Sequence, residues 1–275
     1  MLSIRNIHAG YGGKPVLHDV TAAVKTGEFL GLIGPNGCGK TTLLRIISGV
    51  LPPQSGQVLL NGADVRSIPR AKLAKIMACL SQSLALDFAF TVREVTLMGR
   101  EPHLPRLGYA TPHDREVAER AMALADVSHL ADRPVTEISG GERQRAFIAM
   151  CLAQEPQILL LDEPTSHLDI GHQLLVLELI RNWNRSTGTT VVAVLHDLNL
   201  AAEYCDRLLV LDRGVVEALG SAAEILTSDM IFRVYGAKVA TEPNPISGKP
   251  HVIIAAGRAG AAVGRSASAG ERDKP

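Results

Sequence analysis

The sequence has no surplus of either charge: its 28 Lys and Arg are balanced by 28 Asp and Glu. That removes the electrostatic footprint expected of a nucleic-acid binder or of a chain drawn to an anionic membrane, so partners are to be recognised by shape. Cysteine is sparse, with 4 residues (Cys38, Cys79, Cys151 and Cys205) scattered along the chain. Their spacing argues against a disulfide framework or a zinc site and suits a reducing, cytosolic compartment. No run approaches the 18 or so consecutive apolar residues of a membrane span, and residues 1–7 lack the basic-then-apolar layout of a signal peptide. No internal repeat is visible.

What is present is enough to build a core: 275 residues, 46% of them hydrophobic. Residues 2–7, 16–24, 29–33 and 58–60 read as short strands, with Asn61-Gly62 as a hairpin turn. One helix is embedded among them. It opens at a glycine-rich loop and runs through Leu43, Leu44, Ile46 and Ile47, until Gly49 and Pro52-Pro53 end it. From about 92 to 153 the pattern becomes helical, as in 117–125, interrupted by a Pro- and Gly-containing loop at 101–112. Unbroken apolar strands follow at 158–161 and 191–195, the signature of a parallel sheet covered on both faces, with a crossover helix at 174–183. After Tyr235 the signal weakens, and residues 255–275 form a Gly/Ala/Ser/Arg tail expected to be disordered.

Gly34-Pro35-Asn36-Gly37-Cys38-Gly39-Lys40-Thr41-Thr42 fits the phosphate-loop pattern G-x-x-x-x-G-K-[ST] and lies between a strand and a helix, as that motif requires. Its glycines let backbone N–H groups turn toward phosphate oxygens at a helix N-terminus. Lys40 suits the β- and γ-phosphates of a nucleotide, and the Thr41 hydroxyl suits Mg²⁺. The apolar run 158–161 ends in Asp162 and Glu163 at the C-terminal edge of the sheet. Asp162 is the candidate holder of Mg²⁺, and Glu163, pointing the other way, the candidate base for a water attacking the γ-phosphate. Ser139 and Glu142 satisfy a capping box ahead of a helix. Gly140 and Gly141 behind the cap would also let a second phosphate approach, and the local pattern leaves both readings open. His167 and His172, flanking a turn, are not spaced to share a metal on one helical face. Cys38, near a helix N-terminus, is a candidate for a lowered thiol pKa, with alkylation inhibiting and ATP protecting.

Taken in order, these motifs resemble the nucleotide-binding subunits of ABC transporters over about residues 2–239. The resemblance implies an α/β fold: a P-loop NTPase core with an antiparallel β subdomain and an inserted α-helical subdomain. The RecA-like core and β subdomain would take 1–88 and 156–240, the helical signature subdomain 89–155, and a C-terminal extension 241–275. It also implies that Gln82 is the Q-loop glutamine, bearing on both catalysis and Mg²⁺, and that 139–144, Gln144 included, is the signature motif. Asp169 would belong to the D-loop, and His196 would be the switch histidine holding Glu163 and the attacking water. Without the family, His196 reads as a hydrogen-bonded strand-end histidine. Tyr11 stands where the family stacks a ring on adenine, although a tyrosine between glycines also reads as a turn residue.

The implied mechanism is mechanical. Two copies sandwich two ATP molecules, each site pairing one copy's phosphate loop with Ser139 and Gly141 of the other. Gln82 would pass closure to membrane-spanning permease subunits docked on 84–105, at the cytoplasmic face of a bacterial inner membrane. Residues 165–173, 196–202, Phe90-Thr91-Val92-Arg93-Glu94-Val95, Met98-Gly99-Arg100 and Pro102-His103 are similar to the branch importing iron-siderophores, haem and cobalamin. The ferric-siderophore type is the nearest likeness, and it implies a periplasmic or lipid-anchored substrate-binding protein and no nucleic-acid partner. Ile138, where Leu commonly precedes the signature, is a mild departure. A non-transport ABC ATPase acting on DNA or ribosomes would add a coiled coil, a second phosphate loop or a basic face, and a P-loop kinase would replace the signature with an acceptor pocket.

Overall fold

The computed structural model describes residues 1–81, 89–105 and 108–254. Gln82, the first part of the 84–105 segment and the 255–275 tail lie outside the described residues, and so do the expectations attached to them.

The chain opens with β1 (Leu2–Tyr11) and β2 (Lys14–Val24), enters β3 (Phe29–Ile33), and after the glycine-rich loop forms α1 (Lys40–Ile47). β4 (Ser55–Leu60) and β5 (Ala63–Asp64) turn at Asn61 and Gly62, whose φ values of 49° and 88° define the mirror-image turn that matches strand twist. β1, β2, β4 and β5 make an antiparallel sheet in the order β2-β1-β4-β5. α2 (Arg70–Ile76) then leads into β6 (Met77–Leu80).

Between β6 and β7 (Ile158–Asp162) come α3 (Val92–Met98), α4 (Pro112–Leu124) and α5 (Gly140–Ala153). Each starts on a reciprocal capping box: Thr91 with Glu94, Thr111 with Asp114, Ser139 with Glu142. The buried Arg100 ties this region together, donating to Asp114 Oδ1 at 3.0 Å, to the Ala153 carbonyl at 2.7 Å and to Glu155 Oε2 at 2.9 Å. Asp114 is held down to a pKa of about 2, first by the Thr111 hydroxyl and backbone N–H and then by Arg100. Because its pKa is depressed, its contribution to stability is full above the ordinary carboxylate range and lost as pH falls toward 2. Asp114→Ala should therefore lower unfolding stability at pH 7 by about 3 kcal/mol, by removing the carboxylate half of a capping box and one partner of a buried ion pair. A parental urea midpoint in this variant would contradict that.

β7 continues through α6 (Ile170–Thr187), β8 (Thr190–Val194), α7 (Leu198–Tyr204), β9 (Arg207–Asp212) and β10 (Val215–Gly220). The large sheet runs β10-β9-β3-β8-β7-β6, parallel except for β10. Side chains alternate across it. Ile158 and Leu160 join a core with β1, β2, β4 and α1, whereas Leu159 and Leu161 join the core beneath α3 to α7. β3, β8 and β9 alternate between the same two cores, so the sheet joins the two halves, and β7 ends at its acids, Asp162 with Glu163 directly after.

α8 (Ala222–Ile225), α9 (Ser228–Tyr235) and a hairpin of β11 (Ala240–Pro243) and β12 (Pro250–Ile253) complete the described chain. The hairpin clasps α7. Asn199 donates to the Val252 carbonyl at 3.2 Å and accepts from its N–H at 2.7 Å, while Glu203 accepts from Asn244 at 3.1 Å and Ser247 at 2.5 Å. Sequence reading missed this hairpin, α2, and the β9–β10 pair. It also placed the crossover helix at 174–183, short of the observed Ile170–Thr187.

Candidate active site

The loop after β3 is shaped by what lies beneath it. Gly34 has φ 146°, and a Cβ there would sit 1.9 Å from the Leu211 carbonyl oxygen, so only glycine lets the loop root rest on β9. Lys40 is buried, and its Nζ donates to the Gly34 and Pro35 carbonyls, each at 2.8 Å. The ammonium is thereby held inside the loop. Gly39, the N-cap of α1, supplies no side-chain cap, and no acidic residue stands in the first turn. The amino end of α1 is left suited to an anionic ligand rather than to a carboxylate of its own.

Across the loop stands the end of β7. Thr41 Oγ1 donates to Asp162 Oδ1 at 3.1 Å. Asp162 is buried; burial raises its pKa, the Thr41 hydroxyl opposes that shift, and the neighbouring Glu163 adds to it. A carboxylate and a hydroxyl meeting at one point fit a small hard cation that takes oxygen ligands. Mg²⁺ would be held by Thr41 and Asp162, and bound there it would neutralise phosphate charge.

Glu163 takes a different partner from Asp162. Its backbone sits at φ 54°, a conformation uncommon for a non-glycine residue. The chain bends sharply there, and Glu163 Oε1 meets His196 Nε2 at 2.6 Å. His196 follows the end of β8, two strands' ends thus delivering the pair to one place. Both side chains line a cleft of ≈ 370 Å³ with Val16, Asn36, Gly37, Gly39, Lys40, Thr41 and Thr42, a size within the range of small-ligand sites.

The expected residues divide into two groups. Loop residues 36–37 and 39–42, Glu163 and His196 line the cleft, and Asp162 lies just behind it, joined to the lining through Thr41. Ser139, Gly140, Gly141, Gln144 and Asp169 are not part of its lining. Ser139 is exposed at the start of α5, its hydroxyl accepting from the Glu142 N–H at 3.3 Å. Gln144 Nε2 donates to the Pro164 carbonyl at 2.8 Å, and Asp169 caps α6. Tyr11 is likewise outside the lining, its hydroxyl 3.5 Å from Arg45 Nη1. Val16 was not foreseen. It reaches the cleft only because β2 passes over Gly39, a tertiary contact with no local signal.

One expectation is corrected. Cys38 does not carry a lowered thiol pKa: burial raises it, outweighing the attraction of the Lys40 ammonium 3.8 Å from the sulfur. Proximity to a helix N-terminus loses here to desolvation. Cys38 should accordingly react with iodoacetamide more slowly than a free thiol at pH 8, its rate still climbing above pH 9. Labelling at the rate of a free thiol at pH 8 would refute this.

The sequence pattern describing the ABC transporter family matches residues 17–166. The chain belongs to that family. Its ABC fold is shared with a metal-chelate type ABC transporter in an inward-facing conformation, at a TM-score of 0.80 and 28% identity, covering 92% of this chain and 95% of that one. A dimeric bacterial ABC transporter cassette matches at 0.72 and 29%, covering 81% and 99%. Among relatives by sequence, this ABC chain is 42% identical to the ferric enterobactin transport ATP-binding protein FepC of Escherichia coli (strain K12), over 89% of this chain and 90% of that protein. It is also 42% identical to the hemin import ATP-binding protein HmuV of Pseudomonas entomophila (strain L48), over 92% and 99%. The cobalamin import ATP-binding protein BtuD of Halobacterium salinarum (strain ATCC 29341 / DSM 671 / R1) matches at 42% over 96% of this chain; there the match spans 66% of the relative's length.

Proposed function

We propose that this chain is the ATP-hydrolysing subunit of an ABC importer that takes up an iron chelate, with a ferric siderophore as cargo. The observation that carries the hydrolytic part is the Glu163–His196 contact of 2.6 Å at the rim of a cleft walled by the phosphate loop. A carboxylate held by a histidine beside that loop is placed to take a proton from water, and the proton can pass toward His196. Lys40 and the loop N–H groups receive the phosphates, Thr41 and Asp162 would hold Mg²⁺, and Gln82 joins them by resemblance.

The second group of residues completes the site on another copy. Ser139 and Gly141, with Gly140, Gln144 and Asp169 beside them, all off the cleft of their own chain, would face the nucleotide held by a partner copy, with Tyr11 at its adenine. The dimeric cassette among the structural relatives supports this arrangement. Permease subunits at the cytoplasmic face of the inner membrane, and a periplasmic or lipid-anchored binding protein, complete the system. The equal 42% identity to relatives named for haem and for cobalamin favours those cargoes as a second reading.

Uptake tests the cargo. Cells lacking this chain should lose energy-dependent accumulation of radioiron supplied as ferric siderophore and regain it on complementation. Undiminished iron uptake together with lost haem or cobalamin uptake would replace the siderophore reading with the second one. Ser139→Ala tests the shared site: it should slow ATP hydrolysis by the two-copy assembly roughly tenfold, as expected for loss of one charge-assisted hydrogen bond to phosphate. ATP binding to the isolated chain should stay at the parental level, and equal loss of both would count against a site built from two copies.

A further inference from the structure

His172 belongs to no part of the nucleotide cleft, yet it joins the two elements that carry the outward-facing residues. It lies in the first turn of α6, whose N-cap is Asp169. Its Nδ1 is 2.8 Å and 2.9 Å from the two Asp169 carboxylate oxygens, and its backbone N–H donates to Oδ1 at 2.9 Å. Asp169 is thereby gripped twice by one residue. The imidazole then lies across α5: a Cβ on Gly141 would stand 2.3 Å from His172 Cδ2 and 2.7 Å from Cγ. Glycine at 141 lets the ring come this close, and Gly141 is buried under it while Ser139 and Gly140 stay exposed.

Other bonds fasten the loop between β7 and α6. Gln144 Nε2 reaches the Pro164 carbonyl from α5, and Gln173 Nε2 donates to the Leu168 carbonyl at 3.0 Å from α6. Ser166 Oγ donates to the Glu163 carbonyl at 3.0 Å, so the same loop begins on the candidate base.

We propose that His172 is a positioning residue that locks the amino end of α5 to Asp169, so that Ser139, Gly140 and Asp169 meet the second copy as one rigid face. This rests on the two-copy site described above. Without the imidazole, Asp169 keeps only backbone partners and Gly141 loses its cover, so the α5 and α6 ends sample separate orientations. Docking must then order both, a cost that falls on dimer closure and not on binding of ATP to a single chain.

The test uses the full chain carrying Glu163→Gln, which is expected to accumulate the ATP-bound dimer. Dimer mass is followed by light scattering against ATP concentration with Mg²⁺ present. Adding His172→Ala should raise the ATP concentration for half-dimerisation roughly tenfold, the equivalent of one positioned hydrogen bond to a charged group. ATP affinity of the dilute monomer should remain parental. His172→Gln, which can still donate to Asp169, should recover part of the loss. Dimerisation of His172→Ala at the parental ATP concentration would overturn the proposal while leaving the two-copy site standing. So would a parallel loss of monomer affinity, which would mark His172 as general packing of the chain and not a support of the second-copy face. A Glu163→Gln parent that stays monomeric in ATP would bring down the two-copy reading and this inference with it.

Discussion

The Glu163→Gln chain should bind ATP as tightly as its parent and hydrolyse it roughly 10²- to 10⁴-fold more slowly, the span covered by losing a positioned general base. Gln has the volume of Glu and can still hydrogen-bond His196, so the bend at residue 163 and the cleft wall survive the change. What it cannot do is accept a proton from water at neutral pH. Phosphate release under single-turnover conditions separates the effect from slow product release. A variant that turns over normally would remove Glu163 from the base role and leave His196 or another cleft residue to be tested.

Lys40→Met should weaken ATP binding by roughly 10²- to 10⁴-fold, taking the ammonium to make two charge-assisted hydrogen bonds to phosphate at about 1.5–3 kcal/mol each. The same change strips the Gly34 and Pro35 carbonyls of the donor that now holds both at 2.8 Å. The loop should therefore loosen even without nucleotide, and the apo protein should melt earlier than the parent. Arginine offers no rescue, because Nζ lies buried inside the loop and a planar guanidinium is too large for that space. Titration with a fluorescent ATP analogue decides the matter. Affinity within threefold of the parent would show that the loop N–H groups and α1 bind phosphate without Lys40.

Some of this fold was legible because local chemistry and final structure agree. Ile158 to Leu161 read as a strand covered on both faces, and its residues do alternate between two cores. Asn61-Gly62 read as a turn and has the positive φ angles that the dipeptide favours. Other parts were hidden for identifiable reasons. The turn joining β9 to β10 uses Arg213 at φ 44° ahead of Gly214, and arginine is not a residue that advertises such a turn. α2 is seven residues long with Leu73 as its buried residue, too short and too charged to show a helical period. The C-terminal hairpin buries Val252 and takes its order from Asn199 and Glu203 far upstream.

The candidate site divides in the same way. Residue types and spacing marked the loop and the acids at the end of β7, and the structure brings these together with His196. Burial is what sequence does not display, and it reversed the expectation for Cys38. The Gly141–His172 contact was equally invisible, since it joins the first turns of two different helices and depends on how those helices cross.

The clasp on α7 also bears on the order in which the chain becomes whole during synthesis. Asn199, three residues past His196, waits for a partner 53 positions downstream. At about 5–20 residues per second a ribosome needs roughly 3–10 s to deliver it. In that interval α7, just after His196, lacks its clasp. A chain truncated before Asn244 would lack the hydrogen bonds that hold Asn199 and Glu203 of α7, the helix that follows His196.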